Sequence, residues 1–320
     1  MASGELRGPD RDTVGTPQHA PSRHPPGNPG TRTDPSPPGR WREFHRDGLT
    51  FEYQVYGPDR SEPIVLLHGF PQDSQMWEPV ARRLAATHRV IVPVQRGYSH
   101  GATPRLWSDY RLSKLRDDIA FLLATENCPA AHLVGHDWGG SVAWSLAREC
   151  PRIVRSLTVL SMPEPRALAR AFLGRQLARS WYVPILQTPF LPELVVRLSA
   201  GRFAVGWLGA TGLPASVARR YVTAMSRDRR RPSGTFNWYR AMAFNLPEIS
   251  SRRMVTVPTL LVWSDRDDAV DRSGIVASAR WVAAPYRLEI VEGASHWIPE
   301  QHPELVAELV GAHVRANARD

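Results

Sequence analysis

The chain has 320 residues, 42% of them hydrophobic, and its 40 basic side chains exceed its 31 acidic ones by nine. That length suffices for one large α/β domain with an inserted subdomain. It does not suggest a membrane-spanning protein: no apolar run approaches ~18 residues, and the best stretch, Val195 to Leu213, is broken by Arg197 and Arg202. The basic excess invites a nucleic-acid partner, but Lys114 is the only lysine and the arginines occur throughout, so a compositional bias explains them and no nucleic acid is expected.

Residues 1–39 are rich in Pro, Gly, Ser and Thr and hold almost no large apolar side chain, which predicts a disordered tail. The start of the chain lacks a charged segment followed by an apolar core, so no secretory signal is expected. Trp41–His45 and Leu49–Tyr56 alternate as two antiparallel strands around the turn Arg46-Asp47-Gly48. Ile64–Leu67 is continuously apolar, hence a buried strand, and delivers His68-Gly69-Phe70-Pro71, where Pro71 is a candidate for a cis bond. Helix Met76–Ala86, strand Arg89–Val92, the loop Gln95-Arg96-Gly97-Tyr98-Ser99 and helix Ser113–Glu126 follow. Next come strand Ala131–Val134, helix Ser141–Cys150 and strand Val154–Leu160. Cys128 and Cys150 lack metal-ligand spacing and fit buried free thiols in a reducing, cytoplasmic setting.

From Pro163 to Arg253 the segments are helical and aromatic-rich, with no convincing strand; the run Arg227-Asp228-Arg229-Arg230-Arg231 within them reads as a solvated loop. Alternation resumes with strand Thr259–Val262, helix Ser273–Val282, strand Arg287–Val291 and helix Pro303–Ala316. The prediction is an α/β protein with a mostly parallel, doubly wound sheet. Its core comprises 40–162 and 254–320, and 163–253 forms an inserted helical cap.

Between one strand and the next helix lies Gly135-His136-Asp137-Trp138-Gly139-Gly140. Strand, Gly-x-acid-x-Gly, helix is the pattern of a nucleophile elbow with a carboxylate at its tip. The glycines let the turn push residue 137 outward while the helix packs back on the sheet. The structural alternative is a tight turn whose Asp caps the helix. A carboxylate nucleophile selects its chemistry: attack on an ester would give a labile anhydride, whereas attack on saturated carbon displaces a leaving group and yields an alkyl ester. Water activated by a histidine then restores the acid. Epoxides or alkyl halides are therefore the expected substrates.

Five motifs in order, His-Gly-Phe-Pro at 68, Gln-Arg-Gly-Tyr-Ser at 95, Gly-His-Asp-Trp-Gly-Gly at 135, Asn-Trp-Tyr-Arg at 237 and Gly-Ala-Ser-His-Trp at 293, resemble the α/β-hydrolase fold in its epoxide hydrolase branch, over roughly 42–316. The resemblance implies Asp137 as nucleophile and His296, just after the final strand, as the water-activating base. Of Asp265, Asp267 and Asp268, it marks Asp267 as the carboxylate behind that histidine, with Ser264 where the family has Gly; the other two are expected to be solvated. It implies backbone N–H groups of Phe70 and Trp138 as the oxyanion hole. It also implies two cap tyrosines holding the epoxide oxygen, matched here by Tyr239 and by Tyr182, the latter through its spacing to Gln187 and Pro189. His68, Trp181, Leu186, Trp207, Trp238 and Trp297 are the expected substrate-binding side chains. Phe172, Leu173, Ile185, Phe190 and Phe203 add to an apolar cap, so the predicted substrate is a small apolar epoxide, with water as co-substrate and no cofactor or metal. A homodimer is compatible with the sequence.

Haloalkane dehalogenases share the Asp-Trp-Gly-Gly elbow but often carry Asn where this chain has Phe70; others grip halide with a cap tryptophan, a role open to Trp181 or Trp207. A catalytically silent binding protein is the remaining alternative. Its support is Val94, where the family usually carries an Asp before Gln95; the expected consequence is altered packing.

Overall fold

The computed structural model describes residues 39–59, 63–226 and 230–318. The tail expected at 1–39 therefore falls, apart from Gly39, outside the described residues, as do positions 227–229 of the arginine run. Strands β1 (Arg40–Arg46), β2 (Leu49–Tyr56), β3 (Pro63–Leu67), β4 (Arg89–Pro93), β5 (Ala131–His136), β6 (Val154–Leu160), β7 (Thr259–Ser264) and β8 (Tyr286–Val291) make one sheet, ordered β1-β2-β4-β3-β5-β6-β7-β8. β1 pairs with β2, and β2 with β4, antiparallel; every other pairing is parallel.

The continuous apolar runs follow from burial on both faces. Successive side chains alternate between faces. Val65 and Leu67 join the cluster under α2 (Leu112–Thr125) and α3 (Trp138–Glu149), while Ile64 and Leu66 join the cluster under α1 (Glu78–Leu84) and the C-terminal helix Pro303–Arg315. Val94 is buried in the same apolar cluster as Phe44 and Phe51.

Three helices differ from the sequence prediction by more than one residue at an end. The helix expected at Met76–Ala86 is α1 preceded by a 3-10 turn, Ser74–Trp77, because the Asp73 carboxylate accepts from Gln75 N at 3.1 Å and holds that turn apart. α3 begins at Trp138, three residues earlier than expected. Glycines are poor helix formers, but a Cβ at Gly139 would overlap the carbonyl oxygens of Leu67 and His68, so close helix–sheet approach overrides propensity here. The segment Ser273–Val282 divides into an α-helix, Arg272–Ala277, and a 3-10 turn, Ser278–Trp281. Cys128 is a buried free thiol, but Cys150 is only half-buried.

Between β6 and β7 the chain forms eight helices among the described residues: α4 (Pro165–Ala171), α5 (Gln176–Arg179), α6 (Val183–Gln187), α7 (Leu191–Leu198), α8 (Arg202–Ala210), α9 (Ala215–Ser226), α10 (Arg231–Arg240) and α11 (Leu246–Ser250). α12 (Arg272–Ala277), α13 (Ile298–Gln301) and α14 (Pro303–Arg315) complete the core. Arg231 opens α10 half-buried, with Nη2 3.3 Å from Asp73 Oδ2, so it is not part of a solvated loop. α10 is tied to the core where Gly97 and Gly234 meet; a Cβ on Gly97 would lie 2.6 Å from the Gly234 carbonyl oxygen, and φ there is +87°. Trp238 Nε1 donates to the Arg96 carbonyl at 2.8 Å beside this contact. No helix of the described residues is long and apolar enough to cross a membrane.

Candidate active site

β5 ends at His136, and the next residue turns sharply: Asp137 has φ +51° and ψ −125°, a conformation that costs a non-glycine residue roughly 1–3 kcal/mol. Its carbonyl accepts from Gly140 N at 2.8 Å and from Ser141 N at 3.2 Å, closing the first turn of α3. Its side chain makes no capping bond to that helix, which removes the alternative of a mere helix cap. Instead Oδ1 accepts from Phe70 N at 2.8 Å, and Oδ2 lies 3.6 Å from His296 Nε2. The bond between Phe70 and Pro71 is cis. Trp138, as the first residue of α3, has no helical partner for its N–H.

His296 Nδ1 faces Asp267 Oδ2 at 2.9 Å, and the other Asp267 oxygen accepts from Ala269 N and Val270 N, both at 2.9 Å. Every acceptor of this buried carboxylate is thus fixed. Asp265 and Asp268 are exposed. Burial disfavours the His296 imidazolium, but the Asp267 charge and hydrogen bonds to Asp137 and Asp267 outweigh it and raise the pKa to about 10. Burial likewise pushes Asp137 up, yet the hydrogen bond and charge of His296 hold it below the usual carboxylate range. Before reaction the pair is therefore carboxylate and imidazolium.

Tyr239 lies edge-on to Phe70 and Trp138, with ring centres 5.1 and 5.3 Å away. The Tyr182 ring is 6.3 Å from it and 5.2 Å from Trp207. Burial, then neighbouring negative charge including Asp137, pushes both phenols above their ordinary range, so both stay protonated and able to donate.

Asp137 and the two tyrosines stand where two cavities meet. The larger, about 310 Å³, is lined mainly by apolar side chains, among them Met162, Leu168, Phe172, Val183 and Met242. The smaller, about 90 Å³, is lined by Trp181, Trp207, Leu208, Thr211, His296 and Trp297 among others. Three expected substrate-binding side chains lie outside both linings. His68 is fully buried; burial lowers its pKa to about 4, and its neutral ring donates from Nδ1 to the Gly69 carbonyl and accepts from Gln95 N at Nε2. Leu186 packs in the cap with Phe70 and Phe236, and Trp238 is committed to Arg96. Of the apolar cap residues named from sequence, Phe172 lines the large cavity, whereas Leu173, Ile185, Phe190 and Phe203 face outward.

Several contributors were given no role from sequence. Arg179 lines the small cavity and donates to the Asp267 carbonyl. Ser264, standing where the resemblance implied Gly, is buried and donates to the Ser295 carbonyl at 2.7 Å, steadying the His296 loop. Behind the base, His136 Nε2 donates to the His296 carbonyl at 2.9 Å, and Gln72 joins His136 to Glu300, which also accepts from Tyr221 of the cap.

The model of the alpha/beta hydrolase family matches residues 64–309. Human epoxide hydrolase 4 is 30% identical over 285 residues, covering 85% of this chain and 77% of its own length. An AB hydrolase superfamily protein of Bacillus subtilis, YfhM, is 31% identical over 82% of this chain and 94% of its own. Among solved structures, epoxide hydrolase A from Mycobacterium thermoresistibile superposes with a TM-score of 0.78 at 22% identity, covering 88% of this chain and all of that one. Potato epoxide hydrolase I gives 0.75 at 19% identity, covering 87% and 100%. The chain belongs to the alpha/beta hydrolase family, in its epoxide hydrolase branch.

Proposed function

We propose that the protein hydrolyses an apolar epoxide to a vicinal diol through an ester of Asp137. The observation that carries this reading is the division of labour within one carboxylate: Oδ1 is held by Phe70 N–H, while Oδ2 faces the cavity and His296. Oδ2 attacks the less hindered ring carbon, the C–O bond breaks, and Tyr182 and Tyr239 donate to the departing oxygen. Alkylation turns the Asp137 anion into a neutral ester. That removes the charge and hydrogen bond that helped keep His296 protonated, so the imidazole gives up its proton as the alkoxide gains one, and becomes a base. It then takes a proton from water, which attacks Asp137 Cγ. Negative charge develops on Oδ1, opposite the Phe70 and Trp138 N–H groups. Collapse breaks the Cγ–Oδ2 bond, the departing alkoxide takes the second proton of the added water to complete the diol, and Asp137 is regenerated as a carboxylate carrying one oxygen from water. Asp267 stabilises the imidazolium throughout.

A haloalkane dehalogenase would need a second halide donor beside Trp138. Phe70 offers only its ring there, the Trp138 ring stands edge-on to Tyr239 with centres 5.3 Å apart, and the indoles lining the smaller cavity are those of Trp181, Trp207 and Trp297. The apolar lining of both cavities supports a predominantly hydrocarbon substrate. Parallel assays of diol formation from aryl and alkyl epoxides and of halide release from matched alkyl chlorides and bromides test this; turnover of the epoxides alone is expected, and halide release without diol would overturn the assignment.

A further inference from the structure

Summed by segment, the positive charge of the chain is concentrated. Fifteen of the 40 basic residues but only four of the 31 acidic ones fall in 163–253, so the cap carries +11 and the remaining chain −2. Three of those four acids are among the described residues, and none is exposed: Glu164 and Glu248 are buried against Arg148, and Glu193 is half-buried and paired with Arg240. Nine described cap arginines are exposed.

The same subdomain is apolar where a solvated helix would be polar. α7 buries Pro192 and Val196 on its inner side. Yet Leu191, Leu194 and Leu198, spaced three and four apart and so on one helical face, point outward. Phe190, 81% exposed, precedes them, and Phe203 on the adjoining α8 extends the stripe. Arg197 and Arg202 are exposed between these side chains. α6, which packs on α7, begins beside Trp181, a residue both exposed and lining the small cavity.

We propose that this face of the cap docks on the surface of an anionic lipid bilayer, the leucines and phenylalanines entering the headgroup boundary and the arginines meeting lipid phosphates. An apolar stripe edged by cations, with no exposed acid among the described residues of 163–253, suits an element that lies in the interface without spanning it. A second copy would bring two faces of the same positive sign together. A nucleic acid would match the arginines but leave the leucine stripe in water. Docking stands apart from the proposed reaction; if both hold, the cavity mouth lies beside the phase in which an apolar epoxide dissolves.

Co-sedimentation of the full-length protein with vesicles tests it, comparing pure phosphatidylcholine with phosphatidylcholine containing about one third phosphatidylglycerol. The expected result is binding at least ~10-fold tighter to the anionic vesicles, weakened by added salt. Leu194→Asp with Leu198→Asp abolishes it, and, as a second variant that spares the apolar stripe, Arg197→Glu with Arg202→Glu removes the anionic preference, each melting within a few degrees of wild type. Absence of vesicle binding, or equal binding to both compositions, would overturn the proposal. So would a concentration-dependent dimer in sedimentation velocity that the leucine variant abolishes, which would assign the face to a second copy.

Discussion

At the scale of single residues, the proposed mechanism divides the reaction between the carboxylate of Asp137 and the imidazole of His296, and substitutions separate the halves. Asp137→Asn is expected to lower kcat at least ~1,000-fold, since Asp137 is the carboxylate that lines both cavities and faces His296. His296→Gln is expected to leave ester formation measurable while slowing hydrolysis ~100-fold or more, so intact-protein mass spectrometry after a single addition of epoxide finds the chain heavier by one substrate. Tyr182→Phe and Tyr239→Phe each cost about 100-fold in the rate of alkylation, read in the same mass assay, because each removes one donor to the leaving oxygen. That Asp137, His296 and Asp267 come together was legible from motifs, because the chemistry expected of them demands fixed residue types at strand ends. His68 and Trp238 were not, because a buried polar ring looks the same in sequence whether it meets a ligand or a backbone carbonyl.

At the scale of elements, the elbow works because β5 and α3 approach too closely for a side chain at Gly139. Gly139→Ala is predicted to lose about 3 kcal/mol of stability in denaturant unfolding through overlap with the Leu67 and His68 carbonyls. Strand boundaries were largely readable from alternation and apolar runs; the start of α3 was not, since propensity opposes glycine in helices and only packing demands it. The chain from His136 through Gln72 to Glu300 and Tyr221 links β5, the loop after β3, α13 and α9. Burial lowers the pKa of His136 to about 4, so its ring is neutral, and Nε2 donates to the His296 carbonyl. Gln72 Nε2 donates to Glu300 Oε1 at 2.8 Å, an oxygen that also accepts from Tyr221, and burial pushes the Glu300 carboxyl above its ordinary range. Glu300→Gln should therefore melt close to wild type, whereas Glu300→Ala, leaving Gln72 and Tyr221 without a partner, should lose about 1–3 kcal/mol.

At the scale of the whole molecule, the core sheet carries Asp137, Asp267 and His296 at its strand ends, and the cap brings the two tyrosines and most of the apolar lining. Its inserted position was readable from the lapse in alternation between β6 and β7. Which apolar cap residues face inward was not, because α7 carries apolar side chains on both faces. The folded molecule also binds one proton more tightly than its unfolded chain does: His296 rises from 6.5 to about 10. The stabilisation this provides is complete below about pH 6.5 and lost as pH rises through about 10, and His296→Gln should flatten that part of the melting-temperature profile. The most direct test of the ester mechanism is a single turnover, enzyme in excess over epoxide, in heavy-oxygen water. We predict a diol free of the heavy isotope and a peptide containing Asp137 heavier by one label. Label in the diol with none in that peptide would mean that water attacks the ring directly, and would contradict a covalent role for Asp137.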